Sequence, residues 1–397
     1  MISCAEAQQL IGGFPVQISS ECVPLGSARG RILAEALVAD RDGPPFHRVA
    51  MDGIAMDSAA YGRGQRKFNC VALQAAGSEP LKLNSTLSCI EAMTGAVLPL
   101  GCDAVIPFEK CSRIGDDYIA EDLAMEAWTN IHCCGSDFKQ GQSLLAPGTL
   151  LRSPECAVAA SLGYSKLNVR CGPRIAIVTT GSELVDVEVT PLPYQIRKSN
   201  IHAAHWALQQ RGFSDVSLFH LSDELVEMEQ KLDAVLAKVD VLIISGGVSK
   251  GKLDFVPQVL ANLNVNKVFH NIAQKPGKPM WFGVKDRHVV FALPGNPASM
   301  LVCLERYVIP QLLTAMGQSS IALRLPSMES LKPRPNLTLF KTVQIKTLAS
   351  GGSTVVVQKN NGSGDYASLC GGDGFIEIPP AAMDYPAGTN FRFYPWS

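Results

Sequence analysis

Residues 240–255, DVLIISGGVSKGKLDF, gather on one short stretch the groups that handle anions. Gly246 and Gly247 let the backbone take positive φ and turn its N–H groups toward a ligand. Ser249 adds a hydroxyl, Lys250 and Lys252 add ammonium groups, and Asp254 adds a carboxylate. Together they suit an anionic ligand accompanied by a metal, although the string also reads as an ordinary strand-to-helix loop. The pattern recurs in TTGSEL (179–184), with Thr180, Gly181, Ser182 and Glu183, and in LPGNPAS (293–299), with Pro294, Gly295, Asn296 and Ser299. In the latter, Asn296 suits an N-cap and Pro297 the first helical position, which leaves the next N–H groups open to an anion. KPGKP sets Lys275 and Lys278 on either side of a Pro-Gly turn, where two ammonium groups repel unless an anion lies between them. A solvated surface turn is the plain alternative, and the neighbouring loops favour the anion.

The acidic candidates are Asp52, Asp137, Glu183, Asp223 and Asp254. Carboxylates around phosphate oxygens are the usual cradle for Mg²⁺, which keeps most of its own water. Each has a plainer role too: Asp52 in a D-G turn, Asp223 as a first-turn helix charge, Asp254 as a helix cap. Glu183 and Asp254 rank first because they lie inside the ligand-facing loops. The sequence has no G-x-x-x-x-G-K-[ST] and no G-x-G-x-x-G after a strand, which weakens P-loop and dinucleotide readings.

The elements that must position these loops form a regular series. Strands are expected at 175–178, 216–221, 241–244 and 288–293, and helices at 199–211, 223–238 and 298–313. Such alternation argues a parallel sheet with helices on both faces, and it would bring the three loops to one sheet edge. Residues 1–45 open with a helix carrying a Ser3–Glu6 capping box. DRDGPPFHRVAMDG then leads into a β-rich unit, and alternation after about residue 325 predicts a C-terminal β domain. The expected partition is residues 1–45 with 138–171, residues 46–137, residues 172–322 and residues 323–397.

Composition limits the partners. A chain of 397 residues needs roughly two to four cores. A net charge of −1 without a long basic run argues against nucleic acid or anionic membrane. No signal peptide or membrane-spanning run is evident, and the twelve cysteines are scattered without C-x-x-C spacing. A reduced, cytoplasmic protein is the expectation. Cys133-Cys134 is read as coincidence rather than a redox or metal pair.

In their order, these motifs resemble the MoeA/gephyrin E-domain family of molybdopterin molybdenumtransferases. The matching pieces are PPFHRVAMDGIA, MTGAVLPLGCDAVIPFE, GSDFKQGQSLLAPGTLL, TTGSEL, RKSN, SGGVSKGKLDF, AQKPGKPM, LPGNPASM, GSGDYASL and DGFIEIP, which span nearly the whole chain. The resemblance implies a multidomain α/β protein. Its three-layer α/β/α, mostly parallel, molybdopterin-binding sheet domain would carry a β-rich insertion domain and a C-terminal β domain. It implies a cytoplasmic homodimer of four-domain protomers that inserts molybdate into adenylylated molybdopterin with Mg²⁺-dependent release of AMP.

Carried over by motif, Thr94, Asp52 and Asp137 would reach the cleft from the partner subunit. Glu183, Asp223 and Asp254 would serve pyrophosphate cleavage, the last two as metal ligands. Lys275, Lys278 and Ser299 would hold the oxyanion, with Ser363 or Ser368 nearby. Thr180, Gly181, Ser182, Gly246, Gly247, Ser249, Lys250, Pro294, Gly295 and Asn296 would bind the nucleotide-bearing substrate. Partners would include a molybdopterin adenylyltransferase and maturation proteins of molybdenum enzymes.

The chain departs from the family where Asn271, His132 and Thr342 stand at positions that often carry a cation. Lys250 and Lys341 are candidates to restore it, and tungstate is an alternative oxyanion. Adenylyl transfer to molybdopterin and a non-catalytic scaffold of the same fold are the alternative functions.

Overall fold

A computed structural model describes the chain apart from residues 123, 250–253, 319–322, 350 and 397. Its central sheet is built around strands that are apolar on both faces. Ile175, Ile177, Val241, Ile243, Phe291 and Leu293 face one core, while Ala176, Val178, Leu242, Ile244, Val290 and Ala292 face another. A sheet buried on both sides needs a helical layer on each. Helix Asn200–Gln210, the helical run from Pro297 to Ala315 and the N-terminal helix Cys4–Gly12 cover the first face. Helices Leu225–Leu236 and Val256–Asn262 cover the second. The result is the three-layer arrangement expected from the strand–helix alternation.

Strand order in this sheet is Val216–Leu221, Ile175–Thr180, Val241–Ser245, His288–Leu293, Trp281–Lys285, Asn266–His270. The first four run parallel, and Trp281–Lys285 runs antiparallel to both of its neighbours. The chain goes from Ile175–Thr180 to one side and then returns to Val241–Ser245 on the other. This reversal opens a crevice beyond the carboxyl ends of those two strands. TTGSEL, SGGVS and LPGNPAS all leave the sheet at that edge.

Several expected elements differ in detail. The run expected as one helix over 298–313 contains a π turn, Leu304–Val308, between Pro297–Cys303 and Ile309–Ala315. Pro310 has no N–H and would crowd the carbonyl four residues back, and the wider turn relieves that conflict. Asp223 lies outside its helix, which starts at Leu225 with Glu224 at the N-cap, so it is not a first-turn charge. Asp254 is not a cap either, since Phe255 occupies the N-cap position of Val256–Asn262.

The other sheets frame this unit. Ser20–Pro24 pairs with Lys166–Arg170, and Leu37–Val38 with Ser143–Leu145, so the two ends of the N-terminal region meet around a shared core. Between them lies a six-stranded sheet made by Gly53–Met56, Lys67–Gln74, Ser88–Ala92, Ala104–Pro107, Cys111–Ile114 and Asp117–Ala120. The C-terminal sheet contains Thr338–Thr347, Gly374–Ile378 and Asn390–Pro395. It also includes Gln274–Lys275, a short strand contributed by the α/β unit, which pairs parallel with Thr338–Thr347. No described helix is long and apolar enough to cross a membrane.

Candidate functional site

The three loops interlock at the sheet edge. Gly246 has φ +104°, and a Cβ there would lie 2.9 Å from both the carbonyl and Oγ1 of Thr180. A Cβ on Gly247, at φ +66°, would come within 3.0 Å of the same hydroxyl. Glycine is therefore needed for both conformation and space. Beside these residues the Thr180 hydroxyl is buried, in a residue 5 % exposed, and has no hydrogen-bond partner among the described residues. A buried hydroxyl left unpaired costs about 1–3 kcal/mol, and a ligand atom would satisfy it. Gly246 N donates to Leu293 O at 3.1 Å, which fixes the second loop against the third.

Asn200, the first residue of its helix, ties the edge together. Its Nδ2 donates to Ser245 Oγ at 3.0 Å and to Gly295 O at 2.7 Å, while its Oδ1 accepts from Tyr366 Oη at 2.6 Å. Asn296 occupies the N-cap position, but its side chain does not cap. Instead Asn296 Nδ2 donates to Ser363 Oγ at 3.0 Å, and Ala298 N donates to Ser363 O at 3.0 Å. The helix start expected to hold an anion is thus partly occupied by the 360–370 loop of the C-terminal domain.

Two cavities meet here. The larger, about 910 Å³, is lined by Thr180, Gly181, Glu183, Asp223, Gly246, Gly247, Ser249, Asp254 and Gly295, together with Arg197, Lys198, Asn200 and Tyr366. Ser182 is not in its wall; its N–H donates to Asp223 Oδ2 at 3.0 Å and holds that carboxylate in place. The smaller, about 520 Å³, is lined by Lys275, Lys278, Ser299 and Ser363, with Arg334, Lys341 and Thr342. Pro279, Pro294 and Asn296 line both. Among the described residues no Asp or Glu lines the smaller cavity, whereas Glu183, Asp223 and Asp254 all line the larger. The carboxylates therefore stand on one side of Pro294 and Asn296 only, together with Arg197 and Lys198, while the charged groups on the other side are all cations. Among the described residues no group of three or more His, Cys, Asp or Glu side chains forms a metal site by itself.

Of the two serines offered by the C-terminal loop, Ser363 lines the cationic cavity and Ser368 lines neither, being bonded to Asp365 through its N–H and hydroxyl. Thr342 is buried in the cationic wall, and Asn271 lies outside it. Lys250 falls outside the described residues. Arg334 is a cation that nothing in its local sequence singles out, because it sits in an Arg-Pro-Asn-Leu turn far along the chain. Only the fold brings that turn beside Lys275.

Asp52, Thr94 and Asp137 line neither cavity. Asp52 Oδ1 accepts from Thr94 N at 2.6 Å and from Thr94 Oγ1 at 2.7 Å, contacts that hold its carboxyl below the usual carboxylate range. Arg48 Nη2 lies 2.9 Å from His132 Nδ1, and His132 Nε2 lies 2.7 Å from Asp137 Oδ1. Arginine only donates, so Nδ1 accepts and the proton on Nε2 points to Asp137. These residues form two polar groups, Asp52 with Thr94 and Arg48 with His132 and Asp137.

Comparison with known proteins agrees with this geometry. Residues 2–163 match the family model "MoeA N-terminal region (domain I and II)", and residues 176–314 match "Probable molybdopterin binding domain". A molybdopterin molybdenumtransferase of Synechocystis sp. is 37 % identical over 400 residues, covering 100 % of both chains. That of Staphylococcus epidermidis is 30 % identical, covering 98 % of this chain and 94 % of the relative. The crystal structure of a molybdopterin biosynthesis MoeA protein from Pyrococcus horikoshii superposes with a TM-score of 0.84 at 26 % identity, covering 100 % of both chains. With full-length identity, both domain matches and a shared architecture, the chain belongs to the MoeA family of molybdopterin molybdenumtransferases.

Proposed function

We propose that this enzyme of molybdenum cofactor biosynthesis inserts molybdate into adenylylated molybdopterin and releases AMP. The observation that carries the reading is the pair of abutting cavities, one whose charged lining is cationic and the other holding all three candidate carboxylates. Molybdate is a tetrahedral dianion and needs ammonium, hydroxyl and N–H donors. Lys275, Lys278, Ser299 and Ser363 supply them, with Arg334 and Lys341 adding positive potential in place of the cation that Thr342 lacks. The pterin nucleotide belongs in the larger cleft, where Gly246 and Gly247 permit close approach and the Thr180 hydroxyl waits for a partner.

The larger cleft suits Mg²⁺ by its donor chemistry. Glu183, Asp223 and Asp254 are hard oxygen donors, and Mg²⁺ is ordinarily held by one or two carboxylates plus substrate phosphates rather than by a complete protein cage. Asp223 and Asp254 would hold it, and when bound it would offset the charge of the pyrophosphate. Ser182 keeps Asp223 oriented through its N–H. Glu183, exposed at the rim beside Gly181, is placed to accept a proton from attacking water.

Asp52, Thr94 and Asp137 lie outside both cavities, which supports their acting on the cleft of a second protomer in a homodimer. A molybdopterin adenylyltransferase and maturation proteins of molybdenum enzymes are the natural upstream and downstream partners in the cytoplasm.

Incubation with adenylylated molybdopterin, Mg²⁺ and molybdate, following AMP, tests the reading. Molybdate-dependent AMP release is expected from the wild type, with a loss of about 100-fold or more in Glu183→Ala. ATP consumption without molybdate would identify an adenylyltransferase instead. A folded but inert protein would leave a scaffold.

A further inference from the structure

The two lysines of the cationic cavity are carried on a turn whose underside rests on a single buried amide. Gln274 is 1 % exposed, and every hydrogen-bonding position of its side chain is used. Oε1 accepts from Tyr307 Oη and from Cys4 Sγ at 3.5 Å. Nε2 donates to Pro276 O at 3.1 Å and to Cys303 Sγ at 3.5 Å. Cys303 Sγ in turn donates to Gly277 O at 3.6 Å. Gly277 is pressed onto this cluster: a Cβ there would lie 2.5 Å from Gln274 Nε2 and 2.7 Å from Cys303 Sγ. Between Lys275 and Lys278, the carbonyls of Pro276 and Gly277 are therefore both held from below.

A buried primary amide is costly unless satisfied, and a polar group in an otherwise apolar core signals a geometric duty. An apolar residue at 274 would fill the same space without grasping the turn. The turn also has a reason to spring open, since Lys275 and Lys278 carry like charges and neither has a carboxylate partner among the described residues. Burial pushes the Cys303, Cys4 and Tyr307 groups well up from their ordinary values, which keeps them as neutral donors beside the amide.

We infer that Gln274 is a positioning residue for the oxyanion: its amide clamps the Lys275–Lys278 turn so that the two ammonium groups converge before the anion arrives. The inference deepens the oxyanion reading of the cavity and rests on it. Gln274 acts through the lysines, by removing the cost of gathering them at the moment of binding.

The test uses the full-length protein and Gln274→Met, which keeps size and apolar packing but deletes the clamp. Molybdate binding is followed by calorimetry, and the KM for molybdate and for adenylylated molybdopterin are measured separately. Molybdate affinity is expected to fall about tenfold, the usual cost of losing a group that orients a binding side chain. The molybdate KM should rise in parallel, with the KM for the nucleotide-bearing substrate unchanged. Tyr307→Phe, which removes one donor to the amide and leaves the amide itself, should shift the molybdate KM in the same direction by less, and it serves if the methionine variant does not fold. Unchanged molybdate affinity in a folded variant, or equal weakening of both substrates, overturns the inference. Failure of the wild type to bind molybdate overturns the site reading and this inference with it.

Discussion

Asp52 owes its low pKa to Thr94, whose N–H and hydroxyl both donate to one carboxylate oxygen. A carboxyl with a depressed pKa gives this contact above its unfolded-state value and loses it as pH falls through the folded value. Thr94→Val deletes the hydroxyl but keeps the N–H, so the Asp52 pKa should rise part of the way back toward the ordinary range. An NMR titration of the Asp52 carboxyl checks this, and an unmoved midpoint would mean that the backbone bond alone sets it. At this scale the sequence disclosed residue types well and their surroundings poorly. Glu183, Asp254 and the loop glycines were evident because each lies beside its strand in the chain. The orphan hydroxyl of Thr180 was not, because its isolation depends on Gly246 and Gly247, more than sixty positions away. The choice of Ser363 over Ser368 likewise turns on where one loop meets Asn296.

Among elements, the π turn at Leu304–Val308 has a job beyond accommodating Pro310. It brings Arg306, 3 % exposed, against Glu377 of the C-terminal sheet at 2.9 Å, and Glu377 also accepts from Tyr394 Oη at 2.6 Å. Arg306 Nη1 reaches Gln8 of the N-terminal helix at 2.8 Å. Removing one member of a buried pair leaves an uncompensated charge, so Glu377→Ala should cost about 3 kcal/mol in chemical denaturation. A loss below about 1 kcal/mol would show that the pair is solvated in practice. The strands and helices of the α/β unit were readable because a sheet buried on both faces leaves unbroken apolar runs. The two-residue strand Gln274–Lys275 was not, since pairing with Thr338–Thr347 leaves no periodic trace in so short a segment.

For the whole molecule, the proposed homodimer makes a quantitative prediction. If each cleft joins Glu183 of one protomer to Asp52 of another, Glu183→Ala and Asp52→Ala are both inactive alone. Mixed, unfolded together and refolded at equal amounts, they should recover roughly a quarter of wild-type activity, because half the dimers carry one intact cleft of two. No recovery, with dimers present by sedimentation, would place Asp52 outside the partner's site.

The strand Gln274–Lys275 belongs by chain order to the α/β unit and by hydrogen bonding to the C-terminal sheet. Thr338 N donates to Ala273 O at 3.0 Å, directly beside the lysine turn. A stitch of this kind forbids free swivelling at that seam: any rotation of the last domain would drag the first lysine with it. Pruning the chain after the helical layer would therefore fray the lip on which the proposed oxyanion site stands.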